Sequence, residues 1–162
     1  MKKILLSSFF IFSLLACTST NLTTKDFFVE STHQFQGGFE NSGYSTTSKI
    51  VTSDNNSFLI ENTKDSATNV QRIYLLNEDK ILLLFTGENP IDNLDSLNLD
   101  NGEIVLQAPF TVGEKWISNS NTYEIISVGA DEIQIKKSFP SGIKEITTYK
   151  KGEWKIKRDI LQ

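Results

Sequence analysis

One imidazole, His33, and one thiol, Cys17, stand among 162 residues. A Cys-His or Ser-His-Asp constellation therefore has a single base to build on, and a multi-ligand zinc site has too few donors. His33 follows Ser31-Thr32 just before the first expected strand, with no nucleophile elbow near it. It reads as an ordinary strand-edge residue. Any of the 20 acidic side chains could form a carboxylate pair of the kind that hydrolyses glycosidic bonds, but nothing in their spacing selects one. Gly37-Gly38 lies inside an expected strand and marks a bulge or a close backbone approach, not a phosphate cradle. No catalytic residue, cofactor or metal ligand is assigned, and the expectation is a protein that is not an enzyme.

Two charged segments remain. Residues 88–103, ENPIDNLDSLNLDNGE, hold five carboxylates and no base. A calcium loop needs oxygen ligands at alternate positions, a Gly at the sixth and a Glu at the twelfth, and this register offers none of that. Ile91, Leu94 and Leu97, three apart, instead predict one short helical turn packed on a sheet. From residue 131 onward the balance reverses, with eight basic against five acidic side chains interleaved with Tyr149 and Trp154. Lys137, Tyr149, Trp154 and Arg158 form the candidate binding surface, directed at anionic lipid headgroups or wall polymers; the alternative is that the strand lysines only solvate an outer face and discourage edge pairing. Nucleic acid is not an expected partner.

The elements that must position these residues are strands. Runs rich in Ile, Val, Thr, Tyr and Phe are spaced by Asn, Asp, Gly and Ser turns, the pattern of an antiparallel meander. Strands are expected at 35–40, 44–52, 58–63, 70–76 and 81–85. Residues 81–85, ILLLF, lack polar alternation and predict a central strand covered on both faces. Near the C-terminus, Ile133, Ile135 and Phe139 alternate with polar neighbours, as do Trp154, Ile156 and Ile160. Period two places each apolar set on one buried face and sends Lys155 and Lys157 to water.

The expected class is all-β, a single β-rich domain over 26–162 built as a β-sandwich or barrel-like sheet. It divides into two similar halves, 26–87 and 104–162, if Tyr44, Val51, Asp54 and Ile60 correspond to Tyr123, Val128, Asp131 and Ile135. Shared β composition is the alternative account of those matches.

The N-terminus carries an address. Lys2-Lys3 precede an apolar run over residues 4–16, too short for the roughly 20 residues of a spanning helix and shaped like a signal peptide. It ends in Leu14-Leu15-Ala16-Cys17, which resembles the lipobox of bacterial lipoproteins. The resemblance implies cleavage after residue 16, acylation of Cys17, and a lipid-anchored protein on the cell membrane or outer membrane, facing away from the cytoplasm. Two acyl chains hold a protein where one does not. Residues 17–25 would follow as the lipidated Cys and a polar tether, and loss of the two lysines takes the net charge from −4 to −6.

The C-terminal half also resembles small exported bacterial lipoproteins of uncharacterised function, through Pro109, Val112-Gly113, Trp116, Tyr123, Tyr149, Gly152 and Ile156-Lys157. That resemblance implies fold and location and no activity. The functional expectation is a non-enzymatic binding or structural module that meets an envelope component through its sheet surface or strand edges. The alternatives are a lipocalin-like carrier of a small apolar ligand and, third, a wall-polymer hydrolase.

Overall fold

The structure, a computed structural model, describes residues 22–36, 43–65 and 67–161. The signal-like segment, Cys17, Gly37-Gly38 and most of the turn at 41–43 lie outside the described residues.

Among the described residues, eleven antiparallel strands follow one another as a meander. The first sheet contains β1 (Ser31–Phe35), β2 (Tyr44–Ser53), β3 (Asn56–Lys64), β4 (Asn69–Asn77), β5 (Lys80–Gly87) and β6 (Glu103–Gln107), in that order. The second contains β7 (Lys115–Ser118), β8 (Asn121–Val128), β9 (Glu132–Ser138), β10 (Lys144–Lys150) and β11 (Glu153–Leu161). The class is all-β, and the two sheets face each other around one interior. At one seam the Trp116 indole N–H donates to the Ile104 carbonyl at 2.8 Å, and the Ser118 hydroxyl accepts the Ile104 N–H at 2.8 Å. At the other seam β1 comes alongside β11 without sheet pairing.

Turn chemistry fixes the hairpins. Asp54 and Asn55 both take left-handed backbone between β2 and β3, where short polar side chains are tolerated. Gly152 does so between β10 and β11, and its N–H donates to the Asp26 carbonyl at 2.9 Å. That bond joins a short N-terminal 3-10 helix, Thr24–Asp26, to the end of the sandwich. The Lys151 ammonium meets the Asp26 carboxylate at 3.0 Å, and the Thr24 hydroxyl donates to the Glu78 carbonyl at 3.1 Å. Phe27 and Phe28, just beyond, are buried. Leu22 and Thr24 are thus packed against the fold, while Thr23 and Lys25 stay exposed.

Two apolar clusters result. The inner one fills the space between the sheets with Phe27, Leu59, Ile81, Leu106, Ile125, Ile133 and Trp154 among others. The outer one lies on the far face of the first sheet, where Phe58, Ile73, Leu75 and Leu82 are roofed by Leu94, Ile91, Leu97 and Leu99 of the acidic crossover. Its 3-10 helix spans Leu94–Ser96. A fully buried side chain of this size contributes about 1.5–3 kcal/mol, so the crossover is held by hydrocarbon while Glu88, Asp92, Asp95 and Asp100 stay wet. Residues 81–85 serve both clusters, Ile81 and Leu83 inward and Leu82, Leu84 and Phe85 outward, as a doubly covered strand requires. Gly102 lets the crossover return, since a Cβ there would come within 2.7 Å of Leu82.

Three details differ from the sequence reading. His33 sits in the middle of β1, an edge strand that spans Ser31–Phe35; residues 37–40 of the strand expected at 35–40 lie outside the described residues. The sheet boundary falls after β6, whose pairing with β5 places residues 103–107 in the first sheet. Finally, Val51 and Ile60 pack on the outer cluster, whereas Val128 and Ile135 pack on the inner one, so these two matched pairs point to opposite faces, while Tyr44 and Tyr123 both face the interior.

Candidate functional site

The inner faces of the strands change character along their length. Toward the β2–β3, β4–β5, β8–β9 and β10–β11 turns they carry hydrocarbon. Toward the opposite end they carry hydroxyls and charges around a cavity of about 520 Å³. That volume lies within the range of small-molecule sites, roughly 300–1,000 Å³. A smaller recess of about 370 Å³ adjoins it and shares Leu83, Thr86 and Glu103.

Residues two apart on each strand supply the wall. Glu61 follows Leu59 on β3, Arg72 precedes Tyr74 on β4, Lys137 follows Ile135 on β9, and Glu145 and Thr147 precede Tyr149 on β10. Period two therefore carries the same inner face from the packed end into the cavity. β11 departs from it. Two register shifts against β10 set Tyr149 opposite Lys155 and Lys150 opposite Glu153, leaving Trp154 and Ile156 as extra residues. Such bulges re-aim side chains, and here Trp154 and Lys155, adjacent in sequence, both reach Glu61.

Glu61 is the first of two carboxylates that bridge the sheets. One oxygen accepts the Trp154 indole N–H at 2.8 Å and faces the Lys155 ammonium at 3.4 Å. The other meets the Arg72 guanidinium at 3.3 Å and accepts the Tyr74 hydroxyl at 3.4 Å. Lys155 also donates to the Tyr74 oxygen. Burial by itself pushes the Glu61 carboxyl up, but Lys155, Arg72 and the indole N–H outweigh it and hold the group below its ordinary 4.5. Burial draws the Lys155 ammonium below its ordinary 10.5 against the pull of Glu61.

Glu103 is the second bridge. From β6 its carboxylate accepts the Asn121 amide at 2.6 Å and the Tyr123 hydroxyl at 2.7 Å, and pairs with Lys137 at 2.9 Å. Lys137 in turn lies 4.8 Å from the Phe139 ring centre and 5.5 Å from that of Tyr123. A third pair, Glu145 with Arg158 at 2.7 Å, stays within the second sheet. Burial raises the Glu145 carboxyl, and the Arg158 contact overcomes this and lowers it.

All four tyrosines of the chain, Tyr44, Tyr74, Tyr123 and Tyr149, line this cavity. Burial is the largest cause in every case, and each phenol is held above its ordinary 10. They remain neutral donors at physiological pH. At the rim Phe35 and Tyr44 stack with ring centres 4.6 Å apart. The arrangement is a pocket with flat apolar walls, fixed hydroxyls and paired charges, suited to holding a molecule with both an apolar and a polar part.

The four residues of the candidate binding surface converge here, but not as a surface. Lys137, Tyr149 and Arg158 line the cavity, and Trp154 stands behind Lys155 in its wall. Tyr149 and Trp154 are 3% and 2% exposed, so neither can reach a flat external partner. Ile160, expected inside, is 59% exposed: it pairs with Glu145 and keeps the parity of the cavity face, but it lies near the end of β11. Glu61, Arg72, Glu103, Glu145 and Lys155 were missed. The available signal was a charged residue at core parity on facing strands, as in Leu59-x-Glu61 and Arg72-x-Tyr74. The His33 Nε2 atom is buried without a hydrogen-bond partner among the described residues, outside the cavity wall. Cys17 lies outside the described residues. The chain matches no family model, no curated protein and no solved structure.

Proposed function

We propose that this chain is a lipid-anchored envelope protein whose β domain binds a small amphipathic molecule in the cavity between its sheets, without performing chemistry on it. The observation that carries the reading is the placement of all four tyrosines and of three carboxylates paired with four cations around one opening of about 520 Å³. Filling that space with hydrocarbon would be the more stable design, because buried ion pairs seldom outperform apolar replacements. A charged, hydroxylated interior is thus favoured by use rather than by stability.

Two earlier expectations change weight. Docking through the sheet surface loses its aromatic anchors, since Tyr149 and Trp154 are interior. The carrier reading gains, with an amphipathic cargo in place of a purely apolar one. The anchor rests on the sequence resemblance around Cys17.

Native mass spectrometry of the protein isolated from its own envelope tests the binding. We expect a non-covalent adduct of small mass, and displacement of that adduct by amphiphiles with a change in Trp154 emission, because its indole is bonded to Glu61 in the wall. A protein that carries no adduct and gives no emission change with any amphiphile overturns the proposal. For location, Cys17→Ala should move the protein from the membrane to the soluble fraction.

A further inference from the structure

We infer that the cavity takes an amphiphile with an anionic head group, phosphate or carboxylate in chemistry, and that Lys137, Lys155 and Arg158 receive the head while the aromatic wall takes the tail. This rests on the cavity being a small-molecule site and adds the sign of the ligand's charge.

In each charged pair of the wall the carboxylate is the deeper member. Glu61 is 5% exposed against 23% for Arg72 and 22% for Lys155. Glu103 is 10% exposed against 19% for Lys137, and Glu145 15% against 43% for Arg158. The carboxylates orient the cations from behind, and the cations present what remains of their charge to the opening. Cations also outnumber carboxylates five to four in the wall, in a chain whose net charge is −4. Lys157 is paired with Asp159 at 2.8 Å, so the other four cations balance the four carboxylates: the wall is near neutral inside an acidic protein, with its cations nearer the opening.

Donor arithmetic agrees. An ammonium has three N–H groups and a guanidinium five. Lys137 spends a contact on Glu103 and otherwise lies against the Phe139 and Tyr123 rings, which leaves N–H donors for a guest at the opening. A phosphate or carboxylate oxygen would meet them with charge-assisted bonds. A cationic head would face like charge first. A neutral head would desolvate the cations without replacing their partners.

Titration calorimetry on the full chain carrying Cys17→Ala, so that no attached acyl group competes, separates the outcomes. The probes are dodecyl phosphate, dodecyl maltoside, dodecyltrimethylammonium and inorganic phosphate, all below micelle formation. We expect dodecyl phosphate to bind at least tenfold tighter than the maltoside, the ammonium amphiphile to bind weakest, and inorganic phosphate alone to give no measurable heat. The preference should shrink as sodium chloride is raised, and it should vanish in Lys137→Gln/Arg158→Gln. Glu103 keeps Asn121 and Tyr123 in that variant; should it fail to fold, the salt dependence of the unaltered chain decides. Equal binding of all three dodecyl probes, or preference for the cationic one, overturns the anionic assignment and leaves the small-molecule site standing. Tight binding of inorganic phosphate alone would overturn the amphiphile in favour of a free anion. Heat from none of the probes removes both readings together.

Discussion

The two ends of the interior are built from the same strands and differ in almost everything else. At the closed end Phe27, Ile81, Leu106, Ile125 and Ile133 pack with nearly no exposure, and a 3-10 helix is bonded across the turns. At the open end the same inner faces carry Glu61, Arg72, Lys137 and Glu145 around empty space. Close packing and hydrocarbon transfer act on the first end, so stability is concentrated there. The second end holds charge at a desolvation cost that ion pairing only offsets. A fold can thus be secured at one end of a meander and leave the other available for a guest.

Trp154 stands where the two ends meet, and removing it should have the largest effect. Its ring lies 5.1 Å from that of Tyr74 and 5.2 Å from that of Tyr149, and its N–H is a donor to Glu61. Trp154→Ala is expected to cost about 3–5 kcal/mol, as large aromatic truncations in cores do. Urea unfolding followed by far-UV dichroism measures it. A loss under about 1 kcal/mol would mean that the sheets are joined elsewhere.

Next in size is Glu61. Glu61→Ala leaves Arg72 and Lys155 facing each other without a counter-charge, for a loss of about 3–5 kcal/mol. The combined Glu61→Leu, Arg72→Met, Lys155→Met variant sharpens the contrast, because it turns this part of the open end into closed-end material. It should recover most of that stability or exceed the parent, and amphiphile binding should be lost. Recovery of stability with binding intact would show that the bridge serves the fold alone.

Acid should act on the open end with a smaller and graded effect. Glu61 and Glu145 lie below their ordinary 4.5 in the folded chain. The unfolded chain therefore binds more protons as the solution becomes acid. Their stabilisation is complete above about pH 4.5 and is lost as the pH falls through the folded values. Each unit of depression corresponds to about 1.4 kcal/mol. The urea midpoint should fall between neutral pH and about pH 3, and less steeply in Glu61→Gln. An unchanged slope in that variant would place the acid sensitivity outside the bridge.

The closed end was far more legible in the sequence than the open one, for a physical reason. Apolar alternation and the ILLLF run report burial directly, and both the doubly covered β5 and the Leu94 roof follow from them. Charged residues at core parity read as solvated, because a strand alone does not show what faces it. Lys137 shares parity with Ile133, Ile135 and Phe139 and is inside, a placement the pattern contained. Lys155 shares no such parity. Only the bulges opposite Tyr149 turn it inward, and bulges leave no mark here that a Gly would have left. Tyr149 and Trp154 stand in the candidate binding surface even though alternation puts Trp154 on a buried face, since aromatics beside lysines suit a wet surface and a buried wall equally.

The smallest expected effect on stability is at the rim, and it discriminates best between the two ends. Phe35 and Tyr44 stack at 4.6 Å on the edge strand and its neighbour, both only partly buried. A stacked aromatic pair is worth about 0.5–1.5 kcal/mol beyond its buried area, and part of that is already spent on solvent-facing surface. Phe35→Leu should therefore lower stability by less than about 1 kcal/mol while weakening an amphiphile several-fold, because the lost ring is wall and not core. Ile133→Val at the closed end removes one methyl from a fully buried site and should cost about 0.5–1.5 kcal/mol with affinity unchanged. The two substitutions thus cost similar stability and differ only in what they do to the guest. Should Ile133→Val weaken binding as much as Phe35→Leu does, the ends are energetically coupled, and the packed half would have to be counted as part of the site.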